Sequence, residues 1–137
     1  MLKGFAIALA LLFGGCSSDN SVRKRPTLHV SPYQTVTPKI GAGEPLLLEL
    51  GSTSCAGCRD MSEKLALIRR QHPRSGIYFI DIKDERRVAQ LYDVRMMPTQ
   101  VILDGNGAVV YRHIGGMETG ELLGVLQRYG VITPKKP

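Results

Sequence analysis

The sequence feature that most constrains the fold is an apolar run at Leu46–Leu50, which leads within a few residues into a helical pattern. The run reads LLLEL, and this near absence of alternation is typical of a strand buried on both faces. Apolar residues then recur at helical spacing over Cys58–Ile68. Pro73 and Gly76 end that helix, and Ile77–Ile82 predicts a second buried strand. Because a helix joins the two strands, we expect them to be parallel.

Two segments carry weaker signals. Asp84 is predicted as the N-cap of a short helix, and three apolar residues are predicted on one side of that helix, namely Val88, Leu91 and Tyr92. Nearer the N-terminus, a short strand is predicted at Thr27–Val30. Prolines are frequent within residues 27–45, and they exclude a longer element there.

The last third of the chain predicts a hairpin followed by a helix. The turn residues DGNG, at 104–107, lie between the apolar runs 101–103 and 108–114, which is a strong hairpin pattern. Apolar residues recur at helical spacing again at about 118–129. Acidic residues lie in the first turn of this predicted helix, where the helix dipole favours them. The predicted order is β-α-β-α-β-β-α, an α/β fold with a central mixed sheet flanked by helices.

The N-terminus predicts an export signal. Lys3 precedes an apolar run, Phe5–Phe13, which is too short to span a bilayer of about 30 Å and is typical of a cleavable signal peptide. Cys16 follows two glycines and resembles the cysteine of bacterial lipoprotein signals, which is diacylated and becomes the first residue of the mature protein. Phe13 departs from the commonest form of that signal, which has Leu there. An ordinary signal peptide with a spare cysteine remains the alternative.

The chain therefore divides into a signal peptide (1–15), a lipidated Cys16 with a flexible tether (16–26), a folded domain (27–133) and a short tail (134–137). The cysteine count agrees with this division, because three cysteines leave one pair once Cys16 carries lipid. The net charge of +6 is concentrated partly in the tether, which is predicted to be solvated. No pattern of aromatic and basic residues indicates nucleic-acid binding.

The remaining pair, Cys55 and Cys58, forms a CxxC motif where the first strand leads into the helix. Zinc sites use the same spacing but need four ligands; the sequence has no second CxxC and its histidines are scattered, so no metal is predicted. Cys55 falls at the helix N-terminus, where free N–H groups and the dipole stabilise a thiolate. Thiolate is the form that attacks disulfides. Cys58 lies on the buried stripe and is predicted to be the protected, resolving thiol.

A Met-Pro-Thr sequence that includes Met97 and Pro98 makes the pattern more specific. With it, Leu46–Tyr129 resembles the thioredoxin family, in which a cis-proline packs against the redox pair and the residue before it pairs with the substrate backbone. The resemblance implies that Pro98 is that proline, at close to the family spacing from the CxxC motif, and that Met97 and Gly115 bind substrate. In gross pattern the chain is also similar to the C-terminal periplasmic domain of the transmembrane thiol-reducing Dsb shuttle.

A carboxylate inside an apolar strand, Glu49, is costly to bury unless it is paired or functional. It matches the thioredoxin position of a buried acid that moves protons for the inner cysteine. The resemblance therefore implies a catalytic role for Glu49, with a pKa raised by desolvation. The alternative is that Glu49 lies at a sheet edge and reaches water. The basic residue that often accompanies this acid in the family is replaced by Phe79.

The motif itself departs from the family. Ser54, Ala56 and Gly57 stand where thioredoxins usually have Trp, Gly and Pro. With Gly57 in place of proline, the first helical turn is predicted to be looser. This departure leaves the redox potential open.

These observations predict an exported, membrane-tethered thiol–disulfide oxidoreductase that reduces disulfides of exported proteins. We expect a monomer without organic cofactor, facing the periplasm, reduced by a membrane thiol-electron shuttle, with Ser17 favouring the outer membrane. A net oxidant or isomerase of the same fold is the first alternative. The second is a Cu(I)-binding module, because the two CxxC sulfurs and those of Met96 and Met97 are soft donors.

Overall fold

A four-stranded mixed sheet forms the centre of the fold in this computed structural model, which describes residues 24–134. Its strands are β1 (Leu46–Gly51), β2 (Gly76–Asp81), β3 (Thr99–Leu103) and β4 (Val109–Ile114). Their order across the sheet is β2-β1-β3-β4. β1 runs parallel to β2 and antiparallel to β3, and β3 forms an antiparallel hairpin with β4. The predicted strand directions are therefore confirmed.

Four helices accompany the sheet in the described part of the chain. They are α1 (Tyr33–Val36), which continues into a 3₁₀ turn at Thr37–Lys39, then α2 (Ala56–Gln71), α3 (Arg86–Leu91) and α4 (Thr119–Arg128). The predicted order of strands and helices from β1 onwards is confirmed. Among residues 24–134, no helix is long and apolar enough to cross a bilayer. The predicted signal peptide and Cys16 lie outside the described residues.

Helices cover both faces of the sheet, which explains why β1 does not alternate. Every β1 side chain is buried, and successive side chains in a strand point to opposite faces. Leu47 packs in one cluster with α2 and α4, including Met61 and Leu122. Leu48 packs in the other cluster with α1 and α3, including Val36. Each leucine buried in this way contributes about 1.5–3 kcal/mol relative to an exposed one.

The start of α3 differs from the prediction. Glu85, and not Asp84, occupies the N-cap position before Arg86, and its side chain does not cap the helix. Its carboxylate instead accepts a hydrogen bond of 2.8 Å from the backbone N–H of Tyr33. The start of α3 therefore follows the contact between Glu85 and α1, and not the preference of Asp84 for an N-cap position.

The apolar side of α3 was also predicted only in part. Val88 and Tyr92 are buried, but Leu91 is 64% exposed. The helix ends at Leu91, and Tyr92 turns back into the core, where its hydroxyl lies 2.8 Å from that of Tyr33. Leu91 is the last residue of α3 and faces solvent, whereas Tyr92, just after the helix, occupies the core position.

The strand predicted at Thr27–Val30 does not form. Val30 makes a single parallel bridge to Phe79 on β2. The N–H of Leu28 is bound by the hydroxyl of Ser62 on α2, at 2.8 Å, so it is not free for a strand partner. This segment still belongs to the domain, because Leu28 is buried against α2.

Candidate active site

The two cysteines of the CxxC motif form a disulfide at the start of α2. Cys55 is the N-cap residue, in an extended conformation, and its Sγ accepts a hydrogen bond of 3.3 Å from the backbone N–H of Cys58. The Cα atoms of the two residues are 5.2 Å apart. The same N–H is placed to stabilise a Cys55 thiolate once the disulfide is reduced.

The two sulfurs differ in accessibility. Cys55 is half-buried, whereas Cys58 is fully buried. Gly51, at the end of β1, lies directly against the inner cysteine: a Cβ atom at this position would be 2.8 Å from the Cys58 Sγ. Only glycine permits so close an approach, and the sequence analysis did not single it out. A glycine that ends an apolar strand just before a CxxC motif is the signal that was available.

The predicted proline loop lies beside this pair. The Met97–Pro98 peptide bond is cis, and a Cβ atom at Gly57 would be 3.6 Å from the Pro98 Cδ. The N–H of Gly115 donates a hydrogen bond of 2.8 Å to the Pro98 carbonyl. Gly115 has φ +99°, a backbone conformation that favours glycine. The structure thus brings Cys55, Pro98 and Gly115 into one region, with Met97 exposed at its border.

Glu49 is fully buried in the middle of β1. It lies two residues after Leu47, so the two side chains point to the same face of the sheet, which is also the face on which Gly51 lies against Cys58. That face is covered by α2, which carries Cys58. The alternative of an edge position is wrong, because β1 has a paired strand on each side.

The partner of Glu49 is Gln100, which the sequence analysis missed. Gln100 is opposite Glu49 on β3 and donates a hydrogen bond of 3.0 Å from Nε2 to the Glu49 Oε2. Within the described residues, the Oε1 atom of Glu49 and the Oε1 atom of Gln100 have no hydrogen-bond partner. Burial raises the pKa of Glu49 to about 8, although the hydrogen bond from Gln100 lowers it in part. The carboxyl is therefore mainly protonated at neutral pH and titrates within the range of thiols.

The loop before Cys55 is held by Asp81, at the end of β2. Its carboxylate accepts hydrogen bonds of 3.0 Å from the backbone N–H groups of Thr53 and Lys83. Burial opposes ionisation of Asp81, but these hydrogen bonds and one from the Thr53 hydroxyl outweigh it, so the pKa of Asp81 is lowered. The Lys83 ammonium donates a 2.7 Å hydrogen bond to the Ser54 hydroxyl. A cation therefore lies next to the residue that precedes the outer cysteine.

Solved structures share this architecture. A thioredoxin mutant from Halobacterium salinarum is similar to the chain with a TM-score of 0.66 and 20% identity, over 78% of this chain and 93% of that one. A thioredoxin from Nicotiana alata is similar with a TM-score of 0.65 and 20% identity, over 77% of this chain and 93% of that one. Oxidised mitochondrial thioredoxin 3 from Saccharomyces cerevisiae is similar with a TM-score of 0.62 and 19% identity, over 74% of this chain and 94% of that one. At these identities the similarity shows the thioredoxin fold.

Comparison with curated protein sequences finds no match. A family model described as a thioredoxin-like domain matches residues 38–130, which is most of the chain and includes the CxxC motif, Glu49 and Pro98. The protein thus belongs to the thioredoxin-like domain family and, with its CxxC disulfide, is a thiol–disulfide oxidoreductase.

Proposed function

We propose that this protein reduces disulfides of exported proteins while tethered by lipid to the periplasmic side of a bacterial membrane. The observation that carries the proposal is the asymmetry of the pair: an accessible Cys55 at a helix N-terminus lies over a buried Cys58, and a buried acid points to the same face. A thiolate on the first sulfur attacks, and the second sulfur is protected until it is needed.

The reaction begins at Cys55 of the reduced protein. Its thiolate attacks one sulfur of the substrate disulfide, forms a mixed disulfide and releases the other substrate sulfur as a thiolate, which takes up a proton. Cys58 then loses its proton and attacks the Cys55 sulfur. This step forms the Cys55–Cys58 disulfide, breaks the mixed disulfide and releases the second substrate sulfur as a thiolate, which takes up a proton from water. Two electrons pass from the protein to the substrate.

Glu49, in the fraction of molecules in which it is ionised, is the group proposed to accept the Cys58 proton. Burial raises the pKa of Glu49 to about 8, so its carboxylate is a stronger base than an ordinary carboxylate and is better suited to take a thiol proton. Gln100 holds the carboxyl by its Oε2 atom, which leaves Oε1 to carry the proton.

The few contacts of the outer sulfur in the disulfide form support the reductive direction. A dithiol pair is strongly oxidising when its reduced form is strongly stabilised. In residues 24–134, the Cys55 Sγ accepts one hydrogen bond, from the Cys58 N–H, and the Lys83 ammonium is bound to the Ser54 hydroxyl and not to sulfur. Electrons would then come from a membrane thiol-electron shuttle, which returns the disulfide to the dithiol.

The equilibrium reduction potential tests this direction. We expect a value near that of thioredoxin, roughly −270 mV, in redox buffers of glutathione and dithiothreitol. The fraction of reduced protein is measured by alkylation and mass spectrometry, with a Cys55→Ser/Cys58→Ser double variant as the control that shows no transition. A value near −120 mV would instead make the protein an oxidant.

The export part of the proposal rests on the N-terminal sequence. Expressed as the full precursor in a bacterial host, the protein should be cleaved before Cys16 and should carry the mass of a lipid on that residue. A Cys16→Ser precursor should lose both the lipid and the membrane association, as seen by intact mass and fractionation. Cleavage at another site or an unmodified Cys16 contradicts the anchor; recovery in the inner membrane contradicts only the outer-membrane assignment.

A further inference from the structure

A groove of about 440 Å³ lies beside the segment that precedes Pro98, and none of its lining residues takes part in the proton transfers and thiol–disulfide exchanges described above. One wall is formed by residues that follow β2 and open α3, namely Ile82, Lys83 and Arg86. The other wall is the segment Val94–Met97, which leads into Pro98. We name this feature the basic groove.

The basic groove is continuous with the redox site at both walls. On one side, Lys83 is hydrogen-bonded to Ser54, the residue before the outer cysteine. On the other side, Met97 directly precedes the proline that lies against the helix start. A polypeptide whose disulfide sulfur reaches Cys55 therefore has its flanking residues at the mouth of this groove.

The groove carries an excess of positive charge. Lys83, Arg86 and Arg95 line it from both walls. In the described part of the chain, neither Lys83 nor Arg86 forms an ion pair, and Arg95 contacts Asp93 at 3.2 Å with both side chains largely exposed. An exposed pair of this kind is weak and is easily exchanged for another acidic partner.

Neighbouring acids do not neutralise this surface from within the groove. Asp84 and Glu85 lie between Lys83 and Arg86 in the chain, but neither lines the groove. The Glu85 carboxylate is bound to the backbone N–H of Tyr33 on α1. The three cations are therefore available to an external acidic group.

Two methionines supply the apolar part of the groove. Met96 is 63% exposed and Met97 is 36% exposed, although both are large apolar side chains. Methionine is flexible and polarizable, so such a surface accommodates different apolar partners. Apolar contact beside cations fits an extended segment that alternates or mixes apolar and acidic residues.

We propose that the basic groove selects substrates whose disulfide is flanked by acidic residues next to apolar ones. This inference rests on the proposed function, because it names the class of protein segment on which the redox pair acts. Complementary charge acts mainly on the rate of encounter, and salt screens it. The selection is therefore expected in the first step, when the mixed disulfide forms.

The test uses three synthetic peptides that share one disulfide and the same apolar residues, flanked by Glu, Gln or Lys. The reduced Cys58→Ser variant, with Cys16 also replaced by serine, supplies a single attacking thiolate, and the rate of mixed-disulfide formation is measured by mass spectrometry. At low salt we expect the acidic peptide to react about tenfold faster than the basic one. The ratio should fall towards one at high salt and in a further variant carrying Arg86→Glu and Arg95→Glu.

Arg87→Glu is compared with the single variant Arg86→Glu as its matched control, because Arg87 is exposed on the same helix but does not line the groove. This variant should keep the preference for the acidic peptide, and all variants should react with the neutral peptide at similar rates. Equal rates for the three peptides at low salt, or the same loss with Arg87→Glu, would overturn the groove assignment. Net reduction of the neutral peptide by the unmodified protein, with dithiothreitol as donor, tests the proposed function separately.

Discussion

The Glu49→Gln variant should be more stable than the parent protein at pH 8 and similarly stable near pH 4.5. The pKa of Glu49 rises from 4.5 to about 8 in the folded protein because the side chain is buried. Below pH 4.5 both the folded and the unfolded state hold the proton. Between the two values only the unfolded state releases it, so the parent loses up to about 1.4 kcal/mol of stability per pH unit. Above pH 8 the penalty levels off.

Glutamine removes this pH dependence, because it has a similar shape and cannot ionise. The measurement is the free energy of unfolding in urea from about pH 4 to 9 for both proteins. At pH 7 and above we expect the variant to be more stable by a few kcal/mol. The residues paired with Glu49 on the two neighbouring strands are Phe79 and Gln100, and neither of them is charged. Burial without a cation is the reason that protonation is favoured.

The same substitution should slow disulfide exchange. Glutamine does not accept the Cys58 proton, so the step that resolves the mixed disulfide should fall by roughly 10²-fold, the low end of general-base contributions. Stopped-flow measurement of this step at several pH values separates it from the attack of Cys55. A variant that is less stable at every pH, or that turns over at the parent's rate, would show that Glu49 is an ordinary structural acid.

Asp81→Asn is a control for which we expect the free energy of unfolding to change in the opposite direction. Asp81 is also buried, but hydrogen bonds to its ionised form lower its pKa below the usual 3.8. Its carboxylate therefore stabilises the fold above that value, and this stability is lost as the pH falls through the lower folded pKa. The asparagine variant should be less stable than the parent at neutral pH, with the difference shrinking under acidic conditions.

Much of the architecture was predictable because the signals are local. The buried run of β1 and the stripe on α2 each lie within a single stretch of sequence, and they are enough to place the CxxC motif at a helix start. Glu49 was predicted as a buried acid for the same reason, as a polar residue in an apolar strand. The turn residues of the β3–β4 hairpin likewise act within a few positions.

The features that were missed depend on contacts between distant segments. Gln100 is 51 positions from Glu49, and only the register of β1 against β3 places the two side chains together. The close approach of Gly51 to Cys58 depends on how α2 packs on the sheet. Asp84 failed as a cap because Glu85 contacts α1 and shifts the start of α3. None of these contacts follows from periodicity or local preference.

Replacing either cysteine should abolish turnover, yet the two variants should differ. In Cys58→Ser the accessible Cys55 still attacks, but no thiol resolves the mixed disulfide, so the complex accumulates. With Cys16 also replaced by serine in both variants, the thiol left in Cys55→Ser is that of Cys58, which is fully buried against Gly51. A substrate disulfide does not reach it without a local opening of the fold, so little complex should form. Both variants are expected to fold, since either serine is close in size to the thiol that it replaces.

The mass of the trapped complex tests the assignment of the two sulfurs most directly. Each reduced variant is incubated with an excess of a disulfide peptide, quenched with acid and weighed without reducing agent. We expect Cys58→Ser to gain the mass of one peptide thiol, which dithiothreitol removes, and Cys55→Ser to stay unmodified over the same time. Adduct formation on Cys55→Ser but not on Cys58→Ser would show instead that Cys58 is the attacking thiol.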